Sequence, residues 1–94
     1  MIIGSLLLEI YIPSARSLKD KRSVVKSVLQ RLRNEFNVST AEVGHQDRWQ
    51  VAQIGVVCVS SDGQYAQEQL RAIVDWLYAH RPDLSVSRAE IELL

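Results

Sequence analysis

A chain of 94 residues is long enough for one hydrophobic core but not for two, so one domain spanning residues 1–94 is expected. Hydrophobic residues make up 47% of the chain and charged residues 23%, which excludes a disordered or fibrous protein. The formal net charge is zero, so the molecule as a whole has no long-range attraction for polyanions such as nucleic acid or acidic lipid.

The longest apolar runs, near Leu6–Leu8 and Ile54–Val59, are well short of the roughly 20 residues that cross a bilayer. The amino terminus also lacks the pattern of a secretory signal. We therefore expect a cytoplasmic protein without membrane contact. Cys58 is the single cysteine and lies in an apolar run, so we predict a core residue, with no disulfide, metal or other cofactor.

The first half of the chain predicts a strand followed by a helix. Residues 2–12 are rich in branched apolar side chains and are closed by Pro13, as in a largely buried strand. Ser17 and Asp20 then form a serine-x-x-acid capping pattern. Apolar residues follow at spacings of three and four, which predicts a long amphipathic helix ending near Phe36.

The second half predicts a hairpin, a helix and a last strand. Residues 37–44 and 50–60 are β-prone and are separated by a short polar connection. A second amphipathic helix is expected from about Ser61 to Arg81. Residues 84–94 predict a strand whose apolar alternation slips near Arg88, which indicates an irregularity.

The order βαββαβ predicts an α+β protein with a ferredoxin-like two-layer sandwich. In that architecture a four-stranded antiparallel sheet carries both helices on one face, and the first and third strands are central. These two strands are also the most apolar here.

One face of the predicted sheet has no helix to cover it. Alternation places Leu7, Tyr11 and Val57 on this open face. The residues predicted to face the helices are Ile2, Leu6, Leu8, Ile10, Ile12, Ala52, Ile54, Val56 and Cys58. An exposed surface of mixed polarity is either a protein interface, including that of a homodimer, or a ligand platform.

Basic residues are concentrated in the first helix. Seven of the eleven in the chain lie between Arg16 and Arg33, where Asp20 is the single acid. Because a helix turns about 100° per residue, Lys19, Arg22, Lys26 and Arg33 share a narrow arc. The structural explanation is a solvated face that keeps the protein soluble.

Cations in the first helical turn oppose the macrodipole by about 0.3–1 kcal/mol each, so folding alone does not favour them there. Together with amide donors at the helix start, they indicate a phosphate-binding surface. The predicted phosphate- or nucleic-acid-binding residues are Lys19, Lys21, Arg22, Lys26 and Arg33.

Several phosphate- and RNA-binding motifs are absent. The connection PSARS before the helix is not a glycine-rich phosphate loop. The predicted third strand carries no aromatic residue, unlike an RNA-recognition motif, so any RNA contact is expected to be mainly electrostatic. Acylphosphatases share the βαββαβ order and use an arginine near the position of Arg16, which makes a phosphate-binding enzyme a remote alternative.

The two histidines of the chain are the candidates for acid–base catalysis. His45 lies close to Asp47, Arg48 and Trp49 in the hairpin connection, but no nucleophile or metal-ligand set accompanies it. Turn chemistry explains Asp47, and Trp49 is expected to cover the edge of the core. His80 is expected to cap the second helix, so no catalytic residue is predicted.

The segment SLKDKRSVVKSVLQRLRNEFNVSTAE, followed by DRWQ, resembles the YlxP-like family of small bacterial proteins of unknown function, over nearly the whole chain. The residues that carry the resemblance are Leu18, Lys19, Lys21, Arg22, Val25, Lys26, Phe36, Asn37, Val38, Ser39, Ala41, Glu42, Asp47 and Trp49. The resemblance implies a ferredoxin-like fold, no established catalytic activity, and genes that often neighbour those of transcription, translation-initiation and ribosome-maturation factors.

Together these features lead to the expectation of a non-enzymatic binding module that contacts RNA or a ribonucleoprotein through the basic first helix. The alternative is a protein-interaction or homodimerisation module that uses the open sheet face.

Overall fold

The computed structural model describes all 94 residues and contains four strands and two helices. In chain order these are β1 (Ile2–Tyr11), α1 (Leu18–Glu35), β2 (Ser39–Gly44), β3 (Val51–Ser60), α2 (Gly63–His80) and β4 (Ser85–Leu93). The strands form one sheet in the order β2-β3-β1-β4, and every neighbouring pair is antiparallel. The predicted ferredoxin-like sandwich is confirmed.

The two central strands form the floor of the core. β1 and β3 pair over ten residues each, from Ile2 opposite Ser60 to Tyr11 opposite Val51. The residues predicted to face the helices are buried except Ile2, which is partly buried. The alternation is clean because one face of the sheet meets the helices and the other meets solvent.

Both helices begin as the capping patterns predict. The Ser17 hydroxyl accepts the Asp20 N–H at 3.0 Å, and the Asp62 carboxylate accepts the Gln64 N–H at 2.9 Å. α1 packs over β2, whereas α2 packs over β1, β3 and β4. Neither helix is long and apolar enough to cross a membrane.

The predicted irregularity in the last strand is a bulge. Glu9 pairs with Arg88 but Ile10 pairs with Val86, so Ser87 is the extra residue. A second register shift in β2, between Glu42 and Gly44, re-aims the end of that strand where the β2–β3 loop begins.

Candidate nucleic-acid interface

The outer side of α1 presents a row of cations to solvent. Lys19, Arg22, Lys26 and Arg33 are all exposed, and we call these four residues the basic ridge. The four ion pairs of the chain involve Lys21, His45, Arg81 and Arg88, so no carboxylate neutralises the basic ridge.

Lys21 does not belong to this surface, and the prediction that it faces a ligand is wrong. Its side chain is only 1% exposed. Seven residues separate it from Val28 and eleven from Leu32, so at about 100° per residue it lies within roughly 20° of both apolar side chains. The angular position of Lys21 decides its burial, and its charge then requires a partner inside the fold.

Glu42 of β2 supplies that partner. Lys21 Nζ lies 2.9 Å from Glu42 Oε2, and the Glu42 side chain is only 18% exposed. Lys21 Nζ also donates a hydrogen bond to the carbonyl oxygen of His45. No hydrogen bond with ordinary geometry reaches Glu42 Oε2, so the nearby ammonium charge compensates for its burial. The pair therefore fastens the first turn of α1 to the end of β2.

Arg33 is exposed, but one of its N–H donors is used in a hydrogen bond within the chain. Its Nη2 atom donates to the Thr40 carbonyl oxygen at 2.8 Å, which links the last turn of α1 to the start of β2. The guanidinium has five N–H donors, so this bond leaves others free for an anion. Lys19, Arg22 and Lys26 make no side-chain hydrogen bond or ion pair within the chain.

The start of α1 offers a poorer anion site than the sequence suggests. The Ser17 hydroxyl takes the Asp20 N–H, and Asp20 Oδ2 accepts the Arg16 N–H at 3.1 Å. An anionic side chain thus lies where a phosphate would approach the helix dipole. The surface that can attract an anion is therefore formed by cationic side chains along the helix and not by amides at its terminus. The Arg16 N–H is already bonded to Asp20, so the acylphosphatase alternative has no open amide cradle beside Arg16.

Arg31, on another side of α1, packs on an aromatic cluster between the helices. Its guanidinium carbon lies 5.1 Å from the centre of the Trp76 ring. Trp76 also stacks on His80, with ring centres 4.8 Å apart, and meets Phe36 edge-on. His80 Nδ1 lies 3.0 Å from the Trp76 carbonyl oxygen, so the predicted capping position of His80 is confirmed.

The β2–β3 loop, residues 45–50, turns sharply at His45. This residue has a positive φ of 58°, and its carbonyl oxygen accepts the Arg48 N–H at 3.1 Å. The His45 ring faces the open side of the sheet, where Nε2 lies 3.6 Å from Glu9 Oε2. Ser87 Oγ donates to the Glu9 carbonyl oxygen instead of contacting His45. The serine, acid and histidine are therefore not arranged for nucleophilic catalysis, in which the histidine must reach the serine hydroxyl.

Trp49 is outside the core, contrary to the expectation that it covers the core edge. It is 54% exposed, and Tyr11 at the end of β1 is 41% exposed. The two side chains line one shallow depression of about 420 Å³ together with Asp47, Arg48, Gln50 and Val51. Sequence reasoning missed this pairing because Tyr11 and Trp49 come together only through the β1–β3 register, in which Tyr11 lies opposite Val51.

The open sheet face is the other uncovered surface. Leu7 is half-buried, and Val57 is 42% exposed. The part of the open sheet face that β4 contributes is charged, because Arg88 and Glu90 form an ion pair there through Nε and Oε1. The prediction that Leu7, Tyr11 and Val57 share this face is confirmed, whereas their use as an interface stays a prediction.

Cys58 is buried in the core, as expected. No group of three or more His, Cys, Asp or Glu side chains is close enough together to hold a metal ion.

One carboxyl group has a clearly perturbed acidity. Two hydrogen bonds from the Arg81 guanidinium, at 3.1 and 2.9 Å, hold the pKa of Asp83 below its usual value. The pair lies between α2 and β4 and is not part of the basic ridge.

Comparison with known proteins agrees with this architecture. Residues 3–91 match the family described as a protein of unknown function, DUF503. The chain is 40% identical over 76 residues to the uncharacterized protein YlxP of Bacillus subtilis, a match that covers 81% of this chain and 83% of that protein. Among solved structures, a de novo designed protein with a ferredoxin fold matches all of this chain and 84% of its own, with a TM-score of 0.60 and 11% identity, a likeness of fold alone.

Proposed function

This chain belongs to the DUF503 family of proteins of unknown function, and from that premise we propose that it is a cytoplasmic, non-enzymatic module that binds RNA or a ribonucleoprotein through the basic ridge. The observation that carries the proposal is a row of exposed cations without a single intramolecular ion pair, in a chain whose net charge is zero. Local charge, not overall charge, would therefore attract the phosphates.

Lys21, the buried cation of α1, differs from the basic ridge in having a carboxylate partner, and this contrast supports the proposal. Where a cation of α1 must be buried, the fold provides a carboxylate within 2.9 Å. The chain has as many acidic as basic residues, eleven of each, yet none reaches Lys19, Arg22 or Lys26. Surface charges placed only for solubility need no such separation, whereas phosphate binding does.

Salt dependence tests the proposal. Fluorescence anisotropy with a labelled 20-nucleotide RNA stem-loop measures affinity across a range of salt concentrations. Four phosphate contacts predict a slope of log affinity against log salt of about −3 to −4. Arg22→Glu and Lys26→Glu should each weaken binding and make this slope shallower.

Arg71→Glu is the matched control, because it makes the same change of net charge at an exposed, unpaired arginine of α2. It should weaken binding much less than either ridge variant. Equal losses in all three variants would mean that only net charge matters, and unchanged affinity in the ridge variants would reject the proposal.

A second candidate function is homodimerisation through the open sheet face. The exposed valines of β2 and β3, Val43, Val57 and Val59, favour it, because they form an apolar surface away from the charged residues of β4. Val43 lies over Gly55, whose missing side chain lets the two strands present a continuous surface. Solution mass by light scattering tests this: a dimer that Val57→Asp dissociates supports the function, and a monomer at all micromolar concentrations rejects it.

A further inference from the structure

The aromatic depression at the end of the sheet has no role in the fold. Trp49 and Tyr11 are both exposed, and neither is one of the buried residues of the hydrophobic core. Two large aromatic side chains that line one open depression keep apolar surface in contact with water without improving core packing. Such a pair calls for a ligand that covers it.

The loop that carries Trp49 is held firmly in place. The Gln50 side chain donates to the carbonyl oxygens of Pro13 and Ala15 at 3.2 and 3.3 Å, and the Gln50 carbonyl oxygen accepts the Ile12 N–H at 2.7 Å. At the other end of the loop, Lys21 donates to the His45 carbonyl oxygen. A loop fixed at both ends has less backbone freedom to lose when Trp49 meets a ligand, which lowers the entropic cost of binding.

The polar residues of the depression indicate the ligand. Asp47 and Arg48 are exposed, and neither side chain makes a hydrogen bond or ion pair within the chain. An arginine beside an aromatic ring suits a phosphate next to a stacked base, and a carboxylate accepts hydrogen bonds from base amino groups. A purely apolar protein segment would leave both charges without partners.

The loop that lines the depression is bonded to the segment that leads into α1. The Gln50 bonds attach the β2–β3 loop to the β1–α1 connection, directly before the turn of α1 that carries Lys19 and Arg22. Arg48 is therefore the cation that the depression itself offers to a phosphate, and Asp47 is the carboxylate beside it.

From these observations we propose that Tyr11 and Trp49 form a stacking site for one unpaired base of single-stranded RNA, with Arg48 on the adjoining phosphate. The inference rests on the proposed function, which it deepens by specifying that the RNA is single-stranded at this end of the molecule. It also modifies the sequence-based expectation of mainly electrostatic contact, because stacking is worth about 1–3 kcal/mol per base.

The test compares a labelled 12-nucleotide RNA as a single strand with the same RNA annealed to its complement. Trp49→Ala should weaken single-strand binding by about 5- to 150-fold, the equivalent of one stacked base. It should leave duplex affinity unchanged, since a paired base is unavailable for stacking. Tyr78→Ala, at an exposed tyrosine of α2, is the matched control and should change neither affinity.

A second measurement does not depend on the alanine variant folding. In Trp76→Phe protein, Trp49 is the sole tryptophan, and the single-stranded RNA should quench its fluorescence whereas the duplex should not. Absence of quenching together with unchanged single-strand affinity in Trp49→Ala would overturn the stacking site.

The outcomes separate this inference from the proposed function. If Lys26→Glu weakens RNA binding but Trp49→Ala does not, the stacking site is rejected and binding through the basic ridge is supported. If Trp49→Ala weakens binding but the ridge variants do not, the stacking site stands alone. If the native protein binds neither RNA at low salt, the stacking site and the proposed function are both rejected. A change of solution mass in Trp49→Ala without a change of RNA affinity would show that the depression is a protein contact instead.

Discussion

Lys21 and Arg22 are consecutive cations near the start of α1, and the fold buries one and exposes the other. The Lys21 side chain is fully buried and lies 2.9 Å from the Glu42 carboxylate, whereas Arg22 is exposed and unpaired. A step of one residue turns the side chain by about 100°, which is enough to move it from the apolar stripe to solvent. A run of basic residues is therefore not one surface, and each member must be placed on the helix before it is assigned a function.

The largest effect is expected from removing the carboxylate that pairs with Lys21. Glu42→Leu leaves a buried ammonium with only the His45 carbonyl oxygen as an acceptor, and should lower the free energy of unfolding by about 3 kcal/mol, as breaking a buried pair does. Urea denaturation measures it. A loss below about 0.5 kcal/mol would mean that Lys21 escapes to solvent, which would remove the contrast with Arg22.

The double variant Lys21→Met with Glu42→Leu tests whether apolar side chains can replace the buried ion pair. Met matches the length of the lysine stem and suits a position on the buried apolar stripe of α1, so this variant should be close to the native protein in stability or exceed it. It should also retain RNA affinity, because the proposed contact lies on the basic ridge and not at Lys21. A large loss of affinity in a stable double variant would return Lys21 to the binding set.

Arg31 gives a third environment for a cation of α1, exposed to solvent but packed on a ring. Arg31→Ala should lower the free energy of unfolding by about 0.5–1 kcal/mol, since the guanidinium lies 5.1 Å from the Trp76 ring centre. Thermal and urea unfolding measure the change. When Trp76→Leu has already removed the ring, Arg31→Ala should no longer change the stability, and a loss that persists would locate the effect elsewhere.

Neutralising members of the basic ridge should scarcely change stability. Arg22→Ala and Lys26→Ala should each alter the free energy of unfolding by no more than about 0.5 kcal/mol, because neither side chain has a partner to lose. Each should nevertheless reduce the magnitude of the RNA salt slope by about 0.7–0.9. A destabilised Lys26→Ala protein would indicate a structural partner for this lysine.

The smallest effect is a pH dependence at the partly exposed Arg81–Asp83 pair. Because the folded-state pKa of Asp83 is lowered by the Arg81 hydrogen bonds, the pair stabilises the fold above the ordinary pKa of aspartate. That stabilisation is lost as the pH falls from there through the lowered folded pKa. Asp83→Asn should therefore be slightly less stable than the native protein at neutral pH, and the difference should disappear in strong acid. A difference that is independent of pH would contradict this account.

Much of the architecture could be predicted because each element carries its own local signal. Ser17 and Asp62 mark the helix starts, and the alternation of Leu6, Leu8 and Ile10 identifies the buried face of β1. Even the bulge at Ser87 is indicated by a slip in the apolar pattern. The candidate site is harder to predict, because Trp49 gives no sign in the sequence that it will lie beside Tyr11.

The sequence by itself determined the order of the elements, the two faces of the sheet and the concentration of positive charge in α1, because these depend on periodicity and composition over a few neighbouring residues. Tertiary structure alone decided that Glu42 neutralises Lys21 and that Trp49 and Tyr11 share a depression. Both contacts join residues more than 20 positions apart, and strand register and helix packing bring them together.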